Sequence, residues 1–171
     1  MNLDQAISTA LEYEVKVRDH YVRNAKLLED PKGKALFELL GREEDGHVKY
    51  LNHLWAEFKK TGKVKAEPLP TLLPKGLAWI DDAKKKLEKR PDKRVASGGE
   101  LQCVKEALNY ELEASGFYRT LVRTLPEGQR ELFAGFLTIE DGHVALVQAQ
   151  LDAVTGLGFW FDVQEFNLEA G

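Results

Sequence analysis

Apolar positions near the start of the chain recur at alternating intervals of four and three residues, the period of a helix that buries one stripe. Leu3, Ile7, Ala10, Glu14, Val17, Tyr21, Asn24 and Leu28 keep this register without a slip and predict helix A over about residues 3–28. Asp30 followed by Pro31 suits an N-cap and a first helical position: the aspartate accepts from free backbone N–H groups, and proline has none to leave unpaired. A second seam, Phe37, Leu40, Glu44, His47, Leu51, Leu54 and Phe58, runs on to Gly62 and predicts helix B. So short a turn between A and B makes them antiparallel neighbours.

From Ser97 the pattern begins again. Ser97 and Glu100 have the spacing of a capping box, and Val104, Ala107, Glu111, Ala114, Tyr118, Leu121 and Leu125 predict helix C. Pro126 opens helix D, whose seam is Phe133, Phe136, Glu140, His143, Val147, Gln150 and Val154, closed by Gly156. The halves match directly: ALEYE ending at Glu14 lies over ALNYE ending at Glu111 at an offset of 97 residues, and the EDGHV segments starting at Glu44 and Glu140 match at an offset of 96. Between hairpins at about 3–61 and 98–155 lies a crossover, about 62–97, holding Pro68, Pro70, Pro74 and Pro91. Its segment GLAWIDDAKKKLEK reads as a short amphipathic helix, and the crossover is long enough for B and C to run parallel. The expectation is one all-α domain over 1–171, a duplicated helical hairpin with one long crossover, which is the ferritin-like four-helix bundle topology. The tail, 156–171, contains GFWFDVQEF and is expected to dock on the bundle or on a second subunit.

The seam is interrupted by charge at one level. Each helix places a glutamate inward, Glu14, Glu44, Glu111 and Glu140, and B and D add His47 and His143 three residues later. Counted outward from each turn at about 1.5 Å per residue, the two glutamates of a hairpin lie level to within a turn. Four carboxylate charges in one buried layer are prohibitive unless protonated or met by cations. Two divalent ions meet them. Two Glu-x-x-His helices, with one glutamate from each of the other two, form the donor set of a dinuclear carboxylate site. One Glu-x-x-His is weak evidence, but here it recurs at equivalent repeat positions. Oxygen and nitrogen donors do not choose sharply among first-row ions, so manganese and zinc satisfy them as well as iron.

Other polar residues read differently. Glu43 is an alternative to Glu44 as a ligand, yet its repeat counterpart is Ile139, which favours Glu44. Glu12 and Glu113 point off the seam, and His20 and His53 lack partner spacing, so all four are expected at the surface. Tyr21 and Tyr118 follow their glutamates by seven residues, which returns them to within about 20° of the same face. Each hydroxyl is expected to donate to a ligand carboxylate or to a bound oxygen species. Gly46 and Gly142 weaken their helices, and their repetition predicts close packing there.

Composition narrows the function classes. With 171 residues, 43% hydrophobic, and a net charge of −4, the chain can build a sizeable core and lacks the basic balance of a nucleic-acid binder. No apolar run spans a bilayer, and the start MNLDQAIS lacks a basic n-region, so the expectation is a cytoplasmic protein with no membrane partner. Cys103 alone can form neither an internal disulfide nor a four-cysteine site, so redox chemistry here must use other ligands.

On ALEYE with Tyr21, EEDGH, ALNYE with Tyr118, and IEDGH, the chain resembles the rubrerythrin branch of the ferritin-like superfamily over both hairpins. The resemblance implies Glu14, Glu44, His47, Glu111, Glu140 and His143 as ligands of two iron ions, oxo-bridged when oxidised. It implies reaction with hydrogen peroxide or dioxygen, an external electron donor such as a rubredoxin-type protein, and a homodimer. The chain departs from the family pattern twice. It has no rubredoxin-like four-cysteine segment, and Ala114 stands where rubrerythrins carry a further glutamate, with Val17 in the symmetric place. The expected function is a di-iron oxidoreductase that reduces peroxide. Iron oxidation for storage or transfer, and a bundle with a structural metal, are the alternatives.

Overall fold

A computed structural model of the protein describes residues 1–65, 67–74 and 97–155. Among these the chain forms four α-helices and no strand: α1, Leu3–Asn24; α2, Pro31–Thr61; α3, Gly98–Thr124; and α4, Glu127–Val154. They correspond to helices A to D. The crossover helix, the Gly156 terminus and the aromatic tail lie outside the described residues.

Local chemistry sets the helix ends. Asn2 and Gln5 form a reciprocal capping box at the start of α1, which the seam pattern does not reveal. α1 ends at Asn24 rather than near residue 28; a 3₁₀ turn, Ala25–Leu27, follows, and Leu28 turns extended with its side chain buried. Extension is required there because the chain must reach Asp30 in the non-helical conformation that precedes proline. Asp30 accepts from the backbone N–H of Lys32 at 2.7 Å and of Gly33 at 2.9 Å, as a cap should. Gly62, at φ 70°, closes α2 in the left-handed conformation that glycine tolerates. Ser97 caps α3 through Glu100 N–H, and the buried Glu100 carboxylate accepts from Asp30 N–H at 3.3 Å, tying the start of α3 to that of α2. Pro126 is the N-cap of α4 rather than its first residue.

Side-chain pairs give the helix directions. Trp55 bonds to Asp4, His47 to Glu14, and Gly41 meets Tyr21, so α1 and α2 run antiparallel. Ser115 bonds to Asp141 and Tyr118 stacks on Phe136, so α3 and α4 do too. Lys16 with Glu113, and His20 with Cys103, set α1 against α3 in opposite directions. α2 and α3 are therefore parallel, as a long crossover allows. α1 packs along α2 and α3, whereas α2 and α4 meet chiefly through side chains, including the stacked rings of His47 and His143.

Among the described residues the apolar interior lies chiefly in two parts, with a small third cluster around Ala153 and Val154. One, around Tyr21, Phe37, Leu40, Val104 and Leu146, fills one end of the bundle; the other, around Ile7, Leu51, Tyr118, Phe133 and Phe136, fills the opposite end. Nearly every predicted seam position is buried, with Asn24 and Phe58, close to helix ends, only partly so. At about 1.5–3 kcal/mol for each large apolar side chain fully buried, these two cores stabilise a bundle that carries a costly polar layer between them. No helix among the described residues is long and apolar enough to cross a membrane.

Candidate metal centre

Between the two apolar regions the structure brings together all six seam residues. Glu14, Glu44, His47, Glu111, Glu140 and His143 are each at most 1% exposed. They form two overlapping groups, Glu14 with Glu44, His47 and Glu140, and Glu111 with Glu44, His143 and Glu140, with candidate donor atoms in each group within 4.8 Å of one another. Ligands about 2.0–2.2 Å from one ion span comparable distances. Glu44 and Glu140 belong to both groups, because the two Glu-x-x-His helices, α2 and α4, face each other across the bundle.

Both imidazoles turn Nδ1 inward. His47 Nδ1 lies 3.0 Å from Glu14 Oε2, 3.2 Å from Glu44 Oε2 and 3.3 Å from Glu140 Oε1. His143 Nδ1 lies 2.8 Å from Glu44 Oε1, without the angle of a hydrogen bond, and 3.7 Å from Glu140 Oε2. Among the described residues, Glu44 Oε1, Glu111 Oε2, both Glu140 oxygens and His143 Nδ1 have no hydrogen-bond partner. Buried polar atoms are almost always paired, and orphans that converge on one point call for a cation. The donor set of four carboxylates and two imidazoles fits divalent first-row metals.

Without metal, protons do the neutralising. Burial, with the carboxylates around it, holds Glu14 well above the usual carboxylate range, and burial holds Glu111 there too. Burial also opposes ionisation of Glu44 and Glu140, but the imidazolium charges beside them bring both below the ordinary value. Burial lowers His47 and His143, yet the surrounding carboxylates outweigh it and raise both well above the ordinary value. Two neutral acids, two carboxylates and two imidazolium ions leave the layer uncharged.

The tyrosines cross between hairpins. Tyr21 donates its hydroxyl to Glu111, and Tyr118 donates to Glu14. Both rings are fully buried, and burial next to carboxylates holds both hydroxyls well above the usual phenol range, so they remain donors. Ala114 is buried and brings no carboxylate to the layer.

Two expectations need correction. His20 is not on the surface: it is 2% exposed, packed on Tyr110 and Phe37, with Nε2 donating to the Cys103 carbonyl at 2.9 Å. Its helix packs on both α2 and α3, so it buries a wider stripe than one seam. Gly46 does not mark close packing, since a Cβ there would meet nothing within 4 Å; at Gly41 a Cβ would lie in ordinary contact, 3.4 Å from Tyr21 Cβ. Glu43 is buried but belongs to neither donor group, because Thr71 Oγ1 and Leu72 N–H hold its oxygens, each at 2.5 Å. His53, Glu12 and Glu113 are exposed, as expected. Compared with protein-family models, curated proteins and solved structures, the chain matches none.

Proposed function

We propose that the chain is a non-haem di-iron oxidoreductase of rubrerythrin type on a ferritin-like bundle, which reduces hydrogen peroxide with electrons from an external donor. The observation that carries this reading is the pair of buried donor groups sharing Glu44 and Glu140. Two ferrous ions, when bound, would supply the two electrons that, with two protons, convert one peroxide into two waters. Glu44 and Glu140 would span the two positions, Glu14 and Glu111 would each hold one, and His47 and His143 would add a nitrogen donor to each. Tyr21 and Tyr118 orient Glu111 and Glu14 and keep a proton beside each of them. The apolar regions on either side exclude bulk water, which strengthens every charge interaction in the layer. With a single cysteine the chain has no four-cysteine centre to return electrons, so a separate redox protein of rubredoxin type is the expected reductant.

Anaerobic iron loading followed by metal analysis tests the centre, with close to two irons per chain as the expected result. One equivalent of peroxide should then oxidise both ions of the loaded protein. Uptake of one ion or none rejects the dinuclear reading, and two bound ions inert to peroxide reject the activity. Ala114 favours a second reading, because without a further carboxylate the ligand set resembles the symmetric sites of ferritin-type oxidases. A hollow many-subunit assembly that oxidises iron with dioxygen would support that reading, and a dimer would support peroxide reduction.

A further inference from the structure

The two Glu-x-x-His motifs differ at the residue just before the glutamate, which is Glu43 in the first repeat and Ile139 in the second. Glu43 is 3% exposed, and its Oε2 lies 3.8 Å from His143 Nε2, the ring nitrogen turned away from the donor layer. Thr71 donates its hydroxyl to Glu43 Oε2, Leu72 donates its backbone N–H to Oε1, and Leu73 is buried against the core beside them. The carboxylate is thus fixed from the crossover side. Both Nε2 atoms are buried without a hydrogen-bond partner among the described residues, but only that of His143 has a carboxylate beside it; repeat symmetry puts Ile139 where His143 has Glu43.

A histidine that ligates through Nδ1 carries its proton on Nε2. A carboxylate accepting that proton fixes the tautomer, orients the ring and makes Nδ1 a stronger donor. We propose that Glu43 is a positioning residue for His143, and that it makes the metal position of Glu44, Glu111, Glu140 and His143 tighter than that of Glu14, Glu44, His47 and Glu140. The inference rests on the metal reading above. At 3.8 Å the contact is longer than a hydrogen bond, and a ring movement of about 1 Å closes it. The carboxylate cannot swing inward to become a ligand without giving up both crossover donors. A near-symmetric centre is in this way made asymmetric from behind one histidine, with all six donors unchanged.

Cobalt(II) is a suitable probe, because its visible absorption reports binding without redox turnover. Anaerobic titration of the full chain, followed by absorption and calorimetry, should show two unequal steps. In Glu43→Gln the tighter step should weaken about 10- to 100-fold with the other unchanged. Crystals given one equivalent of cobalt should show anomalous scattering concentrated at the His143 position in the wild type, and spread over both positions in the variant. Thr71→Val keeps the carboxylate and removes one donor that aims it, so it should weaken the same step by less. Equal steps in the wild type, or a Glu43→Gln titration in which neither step or both steps weaken, would overturn the proposal while leaving the metal centre standing. A wild-type chain that binds no cobalt would overturn the centre itself. If Glu43→Gln loses its helical circular dichroism, the Thr71→Val titration decides: selective weakening supports the proposal, and an unchanged titration overturns it.

Discussion

Tyr118 donates to Glu14 inside a fully buried layer, so Tyr118→Phe strips a buried oxygen of its donor. The expected loss is about 1–3 kcal/mol in the metal-free protein by chemical denaturation, with weaker metal binding beside it. Ala114 raises the opposite question, that of an added group. It lies one turn beyond Glu111 on the same face, and Ala114→Glu would add a fifth carboxylate to the layer. Peroxide turnover should rise, or the metal position should shift between redox states. Overfilling costs about 1–3 kcal/mol, so stability must be measured too. A stable, loaded variant unchanged in rate and geometry would show that the absent glutamate does not limit this site. The six layer residues were legible in the sequence because a charge in an apolar seam is conspicuous, and the repeat showed the anomaly twice. Glu43 and His20 were not. The donors that hold Glu43 lie 28 and 29 residues away in a segment without periodicity, and His20 is covered by a second neighbour of α1 that the seam does not encode.

Helix starts were more legible than helix ends. Asp30, Ser97 and Pro126 all lie at N-caps, where a side chain or a fixed φ acts within a few residues. The 3₁₀ turn after α1 depends instead on Leu28 finding a place in the core while the chain extends toward Pro31, which is a tertiary requirement. The glycines of α2 separate the two kinds of information. Gly46 faces open space, so Gly46→Ala should stabilise the metal-free protein by about 0.5–1 kcal/mol through helix propensity alone. Gly41→Ala should gain at least as much, because the new methyl group would also make ordinary van der Waals contact with Tyr21 and Val22 of α1. Thermal denaturation of both variants checks the pair, and destabilisation by Gly46→Ala would revive the close-packing reading.

At the scale of the whole molecule, the proton-filled layer makes stability depend on pH. Glu14 and Glu111 are raised above their ordinary value of 4.5, so the unfolded chain ionises them first and stability falls as pH rises past it. His47 and His143, raised above 6.5, contribute stability that is complete below that value and is lost as pH climbs through their folded values. Glu44 and Glu140, lowered from 4.5, contribute stability present above that value and lost as pH falls through their folded values. The metal-free melting temperature should therefore fall between about pH 6 and about pH 8. Metal affinity should rise over the same range, because Glu14, Glu111, His47 and His143 must each release a proton to bind. A metal-free melting temperature that rises over this interval would contradict the proton assignment. Neither hairpin carries a complete donor group: Glu14, Glu44 and His47 need Glu140, and Glu111, Glu140 and His143 need Glu44. On the metal reading, a chain leaving the ribosome presents its first hairpin long before any four-residue donor group exists. Each four-residue group is complete only once the second hairpin has emerged and docked, so a chain stalled in the crossover presents at most Glu14, Glu44 and His47 to an ion.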